Sequence, residues 1–296
     1  MSVIAERLRN GVVAAVPVPF SGDGIHEWAM RDYAASMAVE SLAGVAVWAH
    51  TGRGRELSAE QRRTVLETWR EALPGKIIVA GVDDIGGAID ARRRGADALL
   101  IFPTADDPVR HHDRLSRELP GIVFWLYAQA GGVPYDDATL HQLLDLPHII
   151  GIKIATLDSV MTYQRLVPIV RQHPGKLIIT GEDRFLGYSV LLGADAALVG
   201  MAAAVPDLCT GLFHAHTVED HARFIAYTAL ADAFAAATFA EPVQGYIRRM
   251  LWAAAAEGRL PHEACDDPWG PALPAAERDA VTTAVRDALA ALAALQ

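Results

Sequence analysis

His148-Ile149-Ile150-Gly151-Ile152-Lys153-Ile154-Ala155-Thr156 is an apolar, β-branched run with the length and flanks of a buried strand, and it carries a lysine near its end. Side chains alternate along a strand, which predicts Ile150, Ile152 and Ile154 on one face and Gly151, Lys153 and Ala155 on the other. The isoleucine face suits packing against helices. The opposite face sets small residues on either side of an amine and leaves space for a ligand. A lysine in such a strand either snorkels to solvent or is buried for a task. The strand alone supports both.

Working outward, helical spacing flanks the run at 137–144 and 159–172. The same unit of strand and helix recurs along the chain. Strands are predicted at 12–20, 44–48, 76–82, 96–102, 122–127, 148–156, 176–180 and 196–201. Helices follow at 27–39, 59–72, 85–94, 109–118, 137–144, 159–172, 184–192 and from Pro206. Ser21 to Gly24 reads as a turn, and Ser58 with Gln61 as a capping box. Strand–helix alternation implies a parallel sheet, and eight units imply closure into a (β/α)8 barrel, with a doubly wound open sheet as the runner-up. Residues 219–296 contain no strand candidate and read as about three helices, 222–236, 243–257 and 275–295. The expected organisation is a barrel over 1–218 carrying the active site and a helical extension over 219–296 packed on it.

The chain of 296 residues is 52% hydrophobic with a net charge of -10. That balance argues against nucleic acid or an anionic membrane as the main partner. Cys209 and Cys265 form no CxxC pattern, so neither a disulfide framework nor a cysteine zinc site is expected, and a reducing cytoplasm suits them. The N-terminal residues lack a signal-peptide core, and no apolar run is long and charge-free enough to span a membrane. His111-His112 are adjacent on a predicted helix and do not share a face, so no metal site is expected there.

In a barrel the chemistry gathers where strands end and βα loops begin. Strand five ends at Tyr127 and strand six at Lys153, and consecutive strands are neighbours. Alternation puts Tyr127 on the face of Val123 and Trp125, opposite Ile122, Phe124 and Leu126. An amine beside a phenol suits Schiff-base chemistry on a carbonyl, with the phenol relaying protons as carbinolamine becomes imine. After strand two, His50-Thr51-Gly52-Arg53-Gly54-Arg55 offers backbone N–H groups and a hydroxyl to a carboxylate, with Arg53 and Arg55 as a second anionic contact. A core aromatic with a wet hydroxyl and solvated loop arginines are the plainer alternatives. Asp84 and Asp183 are expected as helix N-caps.

Gly151-Ile152-Lys153-x-Ala155-Thr156-x-Asp158 resembles the Schiff-base lysine motif of the dihydrodipicolinate synthase/N-acetylneuraminate lyase superfamily. Other pieces match in order: Val16 to Phe20 the first strand, Thr51-Gly52 the GTTGE loop, Leu126-Tyr127 the catalytic tyrosine. Gly181-Glu182-Asp183 is similar to the Gly-Asp-Asp turn, the stretch from Leu192 through Leu198 to Pro206 to the eighth strand, and Glu241-Pro242 to the helical tail. The resemblance implies Lys153 and Tyr127 as catalytic residues, and His50, Thr51, Gly52, Arg53, Gly181 and Leu198 around the substrate. It also implies pyruvate or a larger 2-oxo acid as substrate, an imine to Lys153 with no cofactor, and a homo-oligomer, tetramer or dimer. Departures narrow it. GTTGE is here Ala49-His50-Thr51-Gly52-Arg53, no tyrosine stands in Phe102 to Asp107, and the Asn-x-Pro and arginine expected after Tyr127 are replaced by Ala128-Gln129-Ala130-Gly131-Gly132. The segment from Ala80 to Arg94 is shorter than usual. Dihydrodipicolinate synthase activity itself is therefore not expected. A retired barrel that binds a small carboxylic acid as a sensor or assembly partner is the competing reading.

Overall fold

The computed structural model describes residues 2–22, 24–157 and 159–295. Asp23 of the expected turn, Asp158 of the lysine motif and the end residues Met1 and Gln296 lie outside them. Eight parallel strands close into a barrel in chain order: β1 Val12–Ala15, β2 Gly44–Val47, β3 Ile77–Val82, β4 Ala98–Ile101, β5 Gly121–Leu126, β6 Ile149–Ala155, β7 Leu177–Thr180 and β8 Ala196–Val199. The helices between and after them are α1 Glu27–Ala38, α2 Ala59–Ala72, α3 Ile85–Arg93, α4 Pro108–Ser116, α5 Asp137–Asp145, α6 Val160–Arg171, α7 Leu186–Leu191 and α8 Pro206–Thr217. Two apolar layers result. Val13, Ala46, Val79, Leu100, Phe124, Ile179 and Leu198 fill the barrel interior, while Val45, Ile78, Leu99, Val123 and Ile152 pack outward against the helices.

Three expectations change. The first strand ends at Ala15, because prolines at 17 and 19 remove ladder donors; the chain instead makes a small antiparallel hairpin of Phe20–Ser21 with Gly24–Ile25. The polar start contains a helix, Val3–Leu8, whose Ala5 and Leu8 join the interior layer. Finally, the register between β5 and β6 shifts: Gly121 pairs with Ile149 but Ile122 with Gly151. Ile150 is the extra residue of this bulge and joins the interior layer, while Ile149, not Ile150, shares the outer layer with Ile152 and Ile154.

Beyond the eighth unit come α9 His221–Thr238, α10 Tyr246–Ala256 and α11 Ala275–Leu295. Arg249 of α10 is wholly buried; its Nε donates to Glu277 Oε2 at 2.7 Å and its Nη1 to the Ala240 carbonyl at 2.7 Å, tying α10 to α11 and to the segment that follows α9. The segment before α11 returns to the barrel. Asp266 bridges Phe20, and Trp269 meets the Phe20 ring edge-on at 5.2 Å. Among the described residues no helix is long and apolar enough to cross a membrane.

Candidate active site

Parallel pairing sets Phe124 of β5 opposite Lys153 of β6, and Leu126 opposite Ala155. The lysine points into the barrel, is 6% exposed, and holds its Nζ 4.5 Å from the centre of the Phe124 ring. Two glycines shape its surroundings differently. A Cβ on Gly181 would fall 2.6 Å from Lys153 Cε, so the lysine chain occupies the space that side chain would need. A Cβ on Gly151 would strike the Leu177 carbonyl at 2.4 Å, so that glycine serves the close approach of β7 and does not open a path to the amine. Burial lowers the Lys153 pKa to about 8, against the upward pull of Asp183 and Glu182.

Those two carboxylates follow β7. Glu182 accepts from the Thr156 N–H at 2.6 Å, the Thr156 hydroxyl at 2.9 Å and the Leu157 N–H at 2.8 Å, fixing the turn that leaves the lysine strand. Asp183 is no helix cap: it accepts from the N–H groups of Met201 at 2.6 Å and Gly200 at 3.3 Å, bracing the loop after β8. Burial pushes the Asp183 pKa upward, opposed by those donors and by Lys153. Asp84, by contrast, caps α3 as expected.

Tyr127 stands just past the last residue of β5, where the chain turns into a short 3₁₀ helix. It therefore leaves the alternation and joins the interior side chains, not Val123 and Trp125. Its hydroxyl lies 3.4 Å from His50 Nε2, a long contact. Burial raises the phenol pKa. Burial, with Arg53, Lys153 and Arg55 nearby, lowers that of His50 to about 3, so its imidazole is neutral.

The loop after β2 is a tight turn. The N–H groups of Gly52 and Arg53 close on the carbonyls of Ala49 and His50. Gly52 thus uses its own donor inside the turn; among the described residues the N–H groups of His50 and Thr51 have no acceptor. Thr51 Oγ1 lies 2.9 Å from the hydroxyl of Tyr246. Arg53 turns away from the lysine: its fork meets Asp267 of the extension, Nε to Oδ1 at 2.9 Å and Nη2 to Oδ2 at 2.6 Å, both residues buried. Arg55 lies over the Phe102 ring and near Asp83. Arg53 is thereby committed to Asp267, whereas Arg55 is half-exposed and, among the described residues, held by a single polar contact to Asp83.

His50, Thr51, Tyr127, Lys153, Gly181 and Asp183 thus line one cavity of about 20 Å³, space for roughly one water. Leu198 faces the interior from β8 but does not line it; Gly200 does. A neighbouring cavity of about 580 Å³ shares Tyr127, Leu157 and Phe239 with the first and adds Gln129, Arg184 and Gln244.

The model of the dihydrodipicolinate synthetase family matches residues 8–287. The chain belongs to this family. A relative, the 4-hydroxy-tetrahydrodipicolinate synthase of Rhodospirillum centenum, is 26% identical over 270 residues, covering 85% of this chain and 91% of that one. Dihydrodipicolinate synthase from Agrobacterium tumefaciens superposes with a TM-score of 0.83 at 23% identity, over 98% of this chain and 99% of that one. YagE, a prophage protein of the dihydrodipicolinic acid synthase family from E. coli K12 solved in complex with pyruvate, superposes with a TM-score of 0.84 at 18% identity, over 94% and 98%.

Within this dihydrodipicolinate synthetase family member, three contributors to the cavity are invisible to strand reasoning. Tyr246 and Phe239 come from the extension, where an apolar helical pattern hides their destination. Gly200 falls inside the predicted strand 196–201, but the observed strand ends at Val199, which leaves Gly200 in the loop above it. The proximity of Tyr246 to the family-like Glu241-Pro242 was the available signal.

Proposed function

We propose that this protein is a lyase that forms an imine between Lys153 and pyruvate or a larger 2-oxo acid. The observation that carries this reading is a buried amine on β6 that shares one small cavity with the phenol following the neighbouring strand β5. The chain has three lysines. Lys76 donates to the Glu40 carbonyl and Lys176 to that of Leu146, so both are committed to backbone away from the cavity. Neutral Lys153 attacks C2 of the acid, the carbonyl π electrons move to oxygen, and proton transfer yields a carbinolamine. Protonation of its hydroxyl by Tyr127 releases water as the nitrogen lone pair forms the C=N bond. The iminium then draws electrons from C3, the intermediate common to C–C cleavage and water elimination. Thr51, with the unpaired N–H groups of His50 and Thr51, is suited to the carboxylate. The neighbouring cavity, polar through Gln129, Arg184, Glu241 and Gln244, gives room for a substrate longer than pyruvate. With no arginine after Tyr127, condensation to a dihydrodipicolinate precursor is disfavoured.

Borohydride reduction with pyruvate, followed by peptide mass spectrometry, is expected to find the adduct on Lys153. An unmodified Lys153 across a panel of 2-oxo acids would instead favour a barrel that binds acids without turnover. The trapping rate at low pyruvate is expected to rise about tenfold per pH unit below pH 8 and to level off above it. The sign follows from the nucleophile: the ammonium form is inert, and it is the form favoured as pH falls. A profile flat from pH 6 to 9 contradicts the depressed pKa. Tyr127→Phe is expected to lower turnover about 10² to 10⁴-fold while slow trapping persists, measured by single-turnover kinetics.

A further inference from the structure

The extension sends one phenol into the lysine cavity. Tyr246 opens α10, is 5% exposed, and stacks on Phe239 at 4.8 Å with the rings 16° apart. The absence of a side chain on Gly200 accommodates it, since a Cβ there would stand 3.2 Å from its ring. Its hydroxyl meets Thr51 Oγ1, and burial keeps it protonated.

A threonine hydroxyl has one proton and can accept as well as donate. In the Thr51–Tyr246 pair alone, either oxygen can be the donor. A carboxylate removes that freedom: it only accepts, so Thr51 must donate to it, and Tyr246 must donate to Thr51. The resulting chain from phenol to hydroxyl to carboxylate is polarised along its length in a buried site. We propose that Tyr246 is a positioning residue for the substrate carboxylate, acting through Thr51, so that the C-terminal extension helps select 2-oxo acids over uncharged ketones. This inference rests on the imine reading and adds to it the source of acid selectivity.

The test compares borohydride trapping of pyruvate with that of acetone, which replaces the carboxylate by a methyl group. Tyr246→Phe is expected to raise the pyruvate concentration for half-maximal trapping about tenfold, the size of one lost hydrogen bond to a charged chain. The maximal rate should stay within about twofold, as should trapping of acetone. Thr51→Val should show the same selective loss, and the double variant should lose no more than Thr51→Val alone, because the phenol works through that hydroxyl. Unchanged pyruvate dependence in Tyr246→Phe, equal losses with both ketones, or additive losses in the double variant each overturn the assignment. Should Tyr246→Phe fail to fold, Tyr246→Met carries the same test, since it keeps an apolar side chain beside Phe239 and has no hydroxyl to donate to Thr51. Wild-type protein that traps no pyruvate on Lys153 overturns the imine reading itself, a failure distinct from the others.

Discussion

Lys153→Met is expected to abolish borohydride-dependent labelling and to lower turnover about 10⁴-fold or more, in a protein that still folds. Methionine keeps the length of the chain that fills the space beside Gly181 but has no nucleophilic nitrogen. Its sulfur can keep contact with the Phe124 ring that the ammonium faces. Removing a charge from this buried position also removes the cost of desolvating it, so no collapse is expected. Asp183 loses its cation but keeps the two N–H donors of Gly200 and Met201. Lys153→Arg is the useful companion, because a guanidinium stays protonated in proteins and cannot attack a carbonyl. Turnover within tenfold of wild type in Lys153→Met, with circular dichroism unchanged, would falsify the assignment of the nucleophile.

Asp267→Ala is expected to destabilise the protein by about 3–5 kcal/mol, measured by urea unfolding, and to weaken pyruvate trapping as well. The partner left behind, Arg53, is buried and sits in the turn that carries Thr51. Its backbone has φ 51°, in the left-handed region that non-glycine residues seldom adopt. The fork to Asp267 offsets that strain, and without it the turn is free to rearrange. Asp267→Asn should recover part of the loss by keeping a hydrogen bond. Combining Asp267→Ala with Arg53→Met should recover more, because no uncompensated charge remains. A single variant as stable as wild type would show that the pair holds nothing together.

The barrel was legible because its signal is repetitive. Eight apolar runs between helical spacings favour closure over an open doubly wound sheet, and each predicted strand overlaps an observed one. The errors arose where a local event broke a period. Proline ended β1 early, the bulge at Ile150 shifted the lysine strand by one, and the chain turned after Leu126 before Tyr127 could follow its alternation. That Lys153 would point into the barrel was readable because it interrupts a strand of isoleucines, and that Thr51 would border the same cavity because it follows a strand end. The role of Arg53 was not readable. Its partner stands over two hundred residues away in a segment without regular structure, and charge alone could not tell an ion pair from a ligand contact. Tyr246 was hidden for a similar reason: a tyrosine in an apolar helix resembles any other core aromatic until the helix is placed over the barrel mouth.

The placement of Asp267 and Tyr246 so far along the chain also bears on how the site comes into being during synthesis. A nascent chain that has completed all eight strands already contains Lys153, Tyr127 and Thr51, yet it has neither the phenol that meets the Thr51 hydroxyl nor the carboxylate that holds Arg53. Translation at roughly 5–20 residues per second leaves an interval of several seconds in which the barrel can close around an unfinished pocket. The cavity beside Lys153 is then completed late, with the last quarter of the polypeptide, so a ribosome that stops early releases a chain that lacks the Tyr246 wall of that cavity and the Asp267 partner of Arg53.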